Sequence, residues 1–234
     1  MVGNTRERAG VICDNVDDVD NIDVDDVVGA LEAGLKAAAA DVDAEQAVRG
    51  LDHQKELELQ ALLASSLERA GFFVAREQRY PADRTKKQRS SGRRCDLVVT
   101  RAGPLLLEDA QPGLWNGPAQ LPQQALWIEV KVLKQFLASG PNFGWAEALS
   151  SPPTQEIARL SGDVSVGAAA QLLLLFTASP EVAEHDAAVW RSGVVARGLF
   201  VRAPAYRHIP ISDRLGNTTL TLCFLPVSSP WRLG

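Results

Sequence analysis

The apolar positions of residues 51–70 (LDHQKELELQALLASSLERA) repeat at helical spacing, with Leu59, Leu63, Leu67 and Ala70 on one stripe. Gly71 stands where a C-terminal cap belongs. Extending the stripe backwards lands on Glu56 and leaves Glu58 on the far side, so Glu56 is directed toward the core. The ordinary role of a glutamate in a first turn is to complement the helix dipole. Downstream the period changes to two. Residues 72–80 (FFVAREQRY), 94–101 (RCDLVVTR) and 125–133 (ALWIEVKVL) predict three strands. The third puts Ile128, Val130 and Val132 on one face and Trp127, Glu129, Lys131 and Leu133 on the other. After an irregular stretch over 136–151, residues 153–160 predict a short helix, and QLLLLFTA (171–178) predicts a strand buried on both faces. A helix over 181–191 and strands over 198–202 and 218–227 follow. The order is helix, three strands, helix, strand, with strand additions at the C-terminal end.

The stretch ahead of this core has another character. CDNVDDVDNIDVDDVV interleaves aspartates with Val16, Val19, Ile22 and Val24, and a helix over 27–40 follows with Leu31 and Leu35 on one stripe. No register of Asp14 to Asp26 supplies the alternating ligands, central glycine and final glutamate of a calcium loop, so the acidic run is a solvated tail. Residues 1–50 carry 4 Lys+Arg against 12 Asp+Glu, whereas the remainder carries 20 against 17. The acidity of the chain therefore resides in its N-terminal segment. The expected organisation is an accessory segment over 1–50, partly disordered or helical, and one domain over 51–234 with the Pro- and Gly-rich residues 103–124 as an inserted loop.

Composition narrows the class. With 234 residues, 46% hydrophobic and 23% charged, the chain is neither disordered overall, collagenous nor a coiled coil. No apolar run approaches the roughly 20 residues of a membrane-spanning helix, so no membrane partner is expected. Cys13, Cys95 and Cys223 are odd in number and widely spaced, which suits a reducing, cytoplasmic setting better than a disulfide framework or zinc site. His53, His185 and His208 are too scattered for a zinc hydrolase, Ser165 in GDVSVG does not make GxSxG, and no P-loop or GxGxxG occurs.

Chemistry concentrates on four positions: Glu56 on the first helix, Asp96 on the second strand, and Glu129 and Lys131 on the third. Carboxylate oxygens are the ligands that Mg²⁺ prefers, and one or two suffice when water and phosphate complete its shell. Residues two apart in a strand share a face, so Lys131 stands beside any ion held by Glu129 and Asp96, where it can orient a nucleophile or stabilise charge on phosphorus. The alternative is a Glu129–Lys131 pair on a solvated sheet edge. Between the first two strands, residues 81–94 (PADRTKKQRSSGRR) hold Arg84, Lys86, Lys87, Arg89, Arg93 and Arg94 against one acid, Asp83. Such a loop binds phosphate backbones through counterion release, or is a solvated hairpin tip.

These residues resemble the PD-(D/E)XK nuclease superfamily, carried by Glu56 ahead of Gly71, Asp96 in RCDLVV, and Glu129 and Lys131 in WIEVK, over about residues 51–178. The resemblance implies a restriction-endonuclease-like α/β core, a central mixed sheet flanked by helices. It implies that Asp96, Glu129 and the Val130 carbonyl bind Mg²⁺, with Mn²⁺ as a substitute, that Lys131 is catalytic and that Glu56 is an auxiliary ligand. Cys95 stands where the family name has proline, and the Asp96–Glu129 separation requires residues 103–124 to be an insertion. A QxxxY helix motif of some members is matched only at Gln155, with Arg159 in the tyrosine position; Gln155 is a site candidate or a helix-surface residue. The expected function is metal-dependent hydrolysis of phosphodiester bonds in nucleic acid, DNA first. The rival is a catalytically inactive module of the same fold that binds nucleic acid or a protein partner. A homodimer is an open option.

Overall fold

The computed structural model describes residues 22–84, 93–106 and 119–228. In chain order the elements are α1 (Val24–Ala44), α2 (Glu56–Arg69), β1 (Phe73–Arg79), the helical turn α3 (Pro81–Arg84) and β2 (Arg94–Thr100). Then come β3 (Leu126–Lys134), the short pair β4 (Phe136–Leu137) and β5 (Gly140–Pro141), α4 (Trp145–Gly162), β6 (Ala168–Thr177), α5 (Pro180–Ala196), β7 (Ala205–Pro210) and β8 (Thr219–Val227).

α2 begins with the Glu58 carboxylate accepting the Lys55 backbone N–H at 2.7 Å, and buries Leu59, Leu63 and Leu67. It ends as the sequence requires. Gly71 takes φ +90°, and the N–H groups of Gly71 and Phe72 bond the carbonyls of Glu68 and Leu67, closing the last turn with a left-handed residue. α1 starts on Asp23, whose side chain accepts the Asp25 N–H at 2.8 Å, with Asp25 and Asp26 in the dipole-favoured first turn. Val27, Val28, Leu31 and Leu35 are completely buried in the cluster that also holds Leu59, Leu63 and Leu67. Burying each such side chain contributes about 1.5–3 kcal/mol. The boundary expected at residue 50 therefore does not divide the packing: α1 is core, because its apolar stripe needs α2 and the sheet to cover it. The acidic residues 14–21 lie outside the described residues.

Six strands form one mixed sheet in the order β1-β2-β3-β6-β8-β7. β1, β2 and β3 are successively antiparallel, β6 is parallel to β3 across the α4 crossover, and β8 and β7 extend the sheet antiparallel. α1 and α2 cover one face through Ile128, Val130, Leu172 and Leu174; α4 and α5 cover the other through Leu133, Leu173, Leu175 and Cys223. β6 lies inside the sheet and is buried from Ala169 to Thr177, which accounts for its unbroken apolar run. Because β1 and β3 both oppose β2, the carboxyl ends of β1, β3 and β6 and the amino end of β2 share one end of the sheet.

Two expectations change. Residues 136–151 are not irregular: they form the β4–β5 pair and the first turns of α4, which runs through Pro152 and Pro153. Of the strand expected over 198–202 only Val201 pairs, in one bridge with Val227, while β7 forms instead at Ala205–Pro210. The two stems of the inserted loop meet, Leu105 bridging Gln120, and residues 107–118 between them lie outside the described residues. Among the described residues no helix is long and apolar enough to cross a membrane.

Candidate functional site

β2 and β3 pair only at Leu97–Ile128, Val98–Trp127 and Val99–Leu126. Ahead of Leu97 on β2 and beyond Ile128 on β3 the two strands part, and the edge of β3 loses its backbone partners at Val130 and Val132. Buried N–H groups must find acceptors, and two carboxylates supply them. Asp96 Oδ2 accepts the Val130 N–H at 2.7 Å, and Glu56 Oε2 accepts the Val132 N–H at 3.0 Å. A strand residue presents its N–H and C=O to the same side, so the Val130 carbonyl faces the gap that Asp96 enters.

Glu129 and Lys131 project from β3 toward α4. The Glu129 side chain, 4% exposed, accepts through Oε1 from the Tyr80 hydroxyl at 2.5 Å and from Arg159 Nη1 at 3.1 Å. Lys131 Nζ lies between two carboxylates, 3.0 Å from Glu56 Oε1 and 3.4 Å from Glu156 Oε1. Gln171, wholly buried on β6, donates Nε2 to Glu156 Oε2 at 3.0 Å and to the Glu129 carbonyl at 3.3 Å. Its Oε1 is buried with no hydrogen-bond partner. Tyr80 stacks on Trp127 with ring centres 5.7 Å apart, and Arg159 lies 6.0 Å from the Tyr80 ring, which fixes the hydroxyl that reaches Glu129.

Four carboxylates, Glu56, Asp96, Glu129 and Glu156, thus face two cations, Lys131 and Arg159. The surplus of negative charge shows in the acid–base balance. Burial, reinforced by the neighbouring Asp96, pushes Glu129 up to about 8. Burial likewise raises Asp96 and Glu156 above the ordinary carboxylate range, against the Val130 N–H and the Lys131 ammonium respectively. Lys131 is pulled down by its own burial, but Glu156 and Glu56 together outweigh this and hold the ammonium above its usual range. Desolvation also raises Tyr80 and the fully buried Cys95, so both stay protonated.

The residues singled out in the sequence therefore meet: Glu56, Asp96, Val130, Glu129 and Lys131 surround the opening between β2 and β3. Gln155 does not join them. It is exposed and donates to Ser151 Oγ, because a helix turns about 100° per residue and it is Glu156 that faces the site. Among the basic residues, Arg93 and Arg94 are exposed at the amino end of β2, Arg84 closes the α3 turn, and Lys86, Lys87 and Arg89 lie outside the described residues. Tyr80, Glu156, Arg159 and Gln171 are the members that sequence reading passes over. Glu156 had a signal: it stands three residues after Pro153 and four before Leu160, on the buried stripe of α4.

Among the described residues no three His, Cys, Asp or Glu side chains are grouped to hold a metal ion. A divalent cation here would rely on Asp96, Glu129 and the Val130 carbonyl, with water and substrate completing its shell, a donor set of the kind Mg²⁺ accepts. The carboxyls of Asp96 and Glu129 are raised first of all by their burial. No family model, curated protein or solved structure matches the chain.

Proposed function

We propose that this chain is a metal-dependent nuclease that hydrolyses phosphodiester bonds of nucleic acid, DNA first, with the restriction-endonuclease-like arrangement of a PD-(D/E)XK enzyme. The observation that carries the reading is the convergence of Asp96, Glu129 and Lys131 where β2 leaves β3, in a chain whose elements run α2, three antiparallel strands, α4, parallel strand. Ligands of open α/β sheets lie beyond the carboxyl ends of parallel strands, and β3 and β6 end here. Mg²⁺ held by Asp96, Glu129 and the Val130 carbonyl would supply charge neutralisation and an acidified water.

The chain's own groups do the rest. Tyr80 and Arg159 hold Oε1 of Glu129, and the same side chain hydrogen-bonds Asp96. Glu56 and Glu156 keep Lys131 charged and fixed, so its ammonium acts as an electrostatic partner for a phosphoryl oxygen rather than as a proton acceptor. The sequence joining the carboxyl end of β1 to the amino end of β2 is basic, and Arg93 and Arg94 at that end of β2 would supply cations to the phosphate backbone.

A second reading, a catalytically inactive module that binds nucleic acid or a protein partner, draws on the closure of this network. Lys131, Glu129, Asp96 and Glu56 each already have a partner within the protein. The test is Mg²⁺- and Mn²⁺-dependent cleavage of linear, circular, single-stranded and branched DNA by wild type, Asp96→Ala and Lys131→Ala, each checked for folding by circular dichroism. Cleavage by wild type alone, with at least a hundredfold loss in both variants, is the expected result. Folded wild type that neither cuts nor binds Mg²⁺ in calorimetry rejects the enzyme.

A further inference from the structure

Phe143 is 98% exposed, more than any other large apolar side chain among the described residues. Its backbone is nevertheless tightly framed. The adjacent Asn142 receives the Gly144 N–H on its side chain at 3.0 Å, donates Nδ2 to the Lys134 carbonyl at 2.9 Å, and donates its own N–H to Gln135 at 2.8 Å. The β4–β5 pair beneath it is tied down as well: Asn217 accepts the Phe136 N–H at 3.1 Å and returns Nδ2 to the Phe136 carbonyl at 3.0 Å. A phenyl ring is thus displayed to solvent on a stiff support, which no packing need of the fold explains.

The place matters. The support grows from Lys134, three residues and about 10 Å along β3 from Lys131, at the end of the sheet where the site opens. Lys134 donates to the Gln54 carbonyl at 2.7 Å, which brings the start of α2 alongside. Lys55, Arg93 and Arg94 are exposed at this same end, and Leu57 and Leu137 are exposed at 61% and 37%. An exposed apolar ring, with cations exposed at the same end of the sheet, suits a strand whose bases are available for stacking. A closed duplex offers phosphates but hides its base faces.

We infer that Phe143 is a stacking platform for an unpaired base, and that the substrate class is single-stranded nucleic acid or a duplex with a frayed or branched end. The inference rests on the nuclease reading for the identity of the site, yet it is tested by binding alone. Fluorescence anisotropy in EDTA compares a labelled dT20 with a 20-base-pair duplex for wild type, Phe143→Ala and Phe143→Trp. The expected result is about a tenfold weaker affinity of Phe143→Ala for dT20, recovery in Phe143→Trp, and unchanged duplex binding. Equal effects on both DNAs, no effect on dT20, or no binding of either by folded wild type overturns it. Adding Mg²⁺ separates the two ideas. Stacking with no cleavage of any DNA refutes the nuclease and leaves the platform standing; cleavage of dT20 that is indifferent to Phe143→Ala, together with unchanged dT20 binding, does the reverse.

Discussion

Glu129 shows how one carboxyl is held by its surroundings. Its pKa is raised to about 8, first by burial and then by Asp96, so the folded protein binds a proton that the unfolded chain releases near 4.5. Stability from this group is complete below about 4.5 and is lost as pH rises through 8. Asp96 and Glu156 shift in the same direction, and Lys131, raised above 10.5, does not titrate in that window. Metal-free protein should therefore lose stability between pH 5 and 9, and Glu129→Gln should flatten the loss; urea midpoints in EDTA at several pH values decide it. One pKa unit is about 1.4 kcal/mol, so the effect should reach a few kcal/mol. Tyr80→Phe removes a donor to the same oxygen and should cut cleavage about tenfold or more with little change in DNA affinity, separable as kcat against KM. Glu56, Asp96, Glu129 and Lys131 were legible because charged residues are conspicuous in strands and on core-facing stripes. Tyr80 and Gln171 were not, since each looks like an ordinary residue of a strand or strand end until its partner across the fold is known.

Helices and strands were legible where one period governs them, as in α2, β3 and β6. The first half of α4 was hidden by Pro152 and Pro153, which read as a helix start. Tertiary packing overrides that signal: Leu149, Pro153, Ile157 and Leu160 are buried at successive turns, and Trp145 packs against the cluster holding α5 residues Ala183 and Ala187. β7 was missed because only Ile209 of its six residues is buried, four being partly buried and Pro210 exposed. Two glycines mark where elements touch most closely. A Cβ on Gly34 would lie 1.8 Å from Ser66 Oγ at the α1–α2 crossing, and one on Gly167 would lie 1.6 Å from the Gln123 carbonyl. Overpacking of this kind costs about 1–3 kcal/mol. Gly167→Ala should cost more than Gly34→Ala, because it meets three backbone atoms of Gln123, whereas at Gly34 the Ser66 Oγ can turn away and only its Cβ, at 2.4 Å, is fixed. Equal urea midpoints for the two variants would contradict this ranking.

At the scale of the molecule, charge is divided. The N-terminal 50 residues carry the net acidity, while the basic run 81–94 lies between β1 and β2 in sequence. Reversing Lys86, Lys87 and Arg89 should weaken DNA binding and lower the slope of log affinity against log salt by about 2–3. An unchanged slope across a salt titration removes that loop from the interface. The overall order of elements was legible, but the separation of β2 from β3 was not, because a strand pattern tells which face is buried and not where a neighbour departs. The crossover through α4 has a temporal consequence. The cluster joins Glu56 to Gln171, 115 residues apart in sequence, and α4 lies between β3 and β6 in the chain. Contacts so distant in sequence form late. A chain emerging from the ribosome carries Glu56, Asp96, Glu129 and Lys131 before Glu156 and Gln171 have been made, so any cutting power waits for α4 and β6.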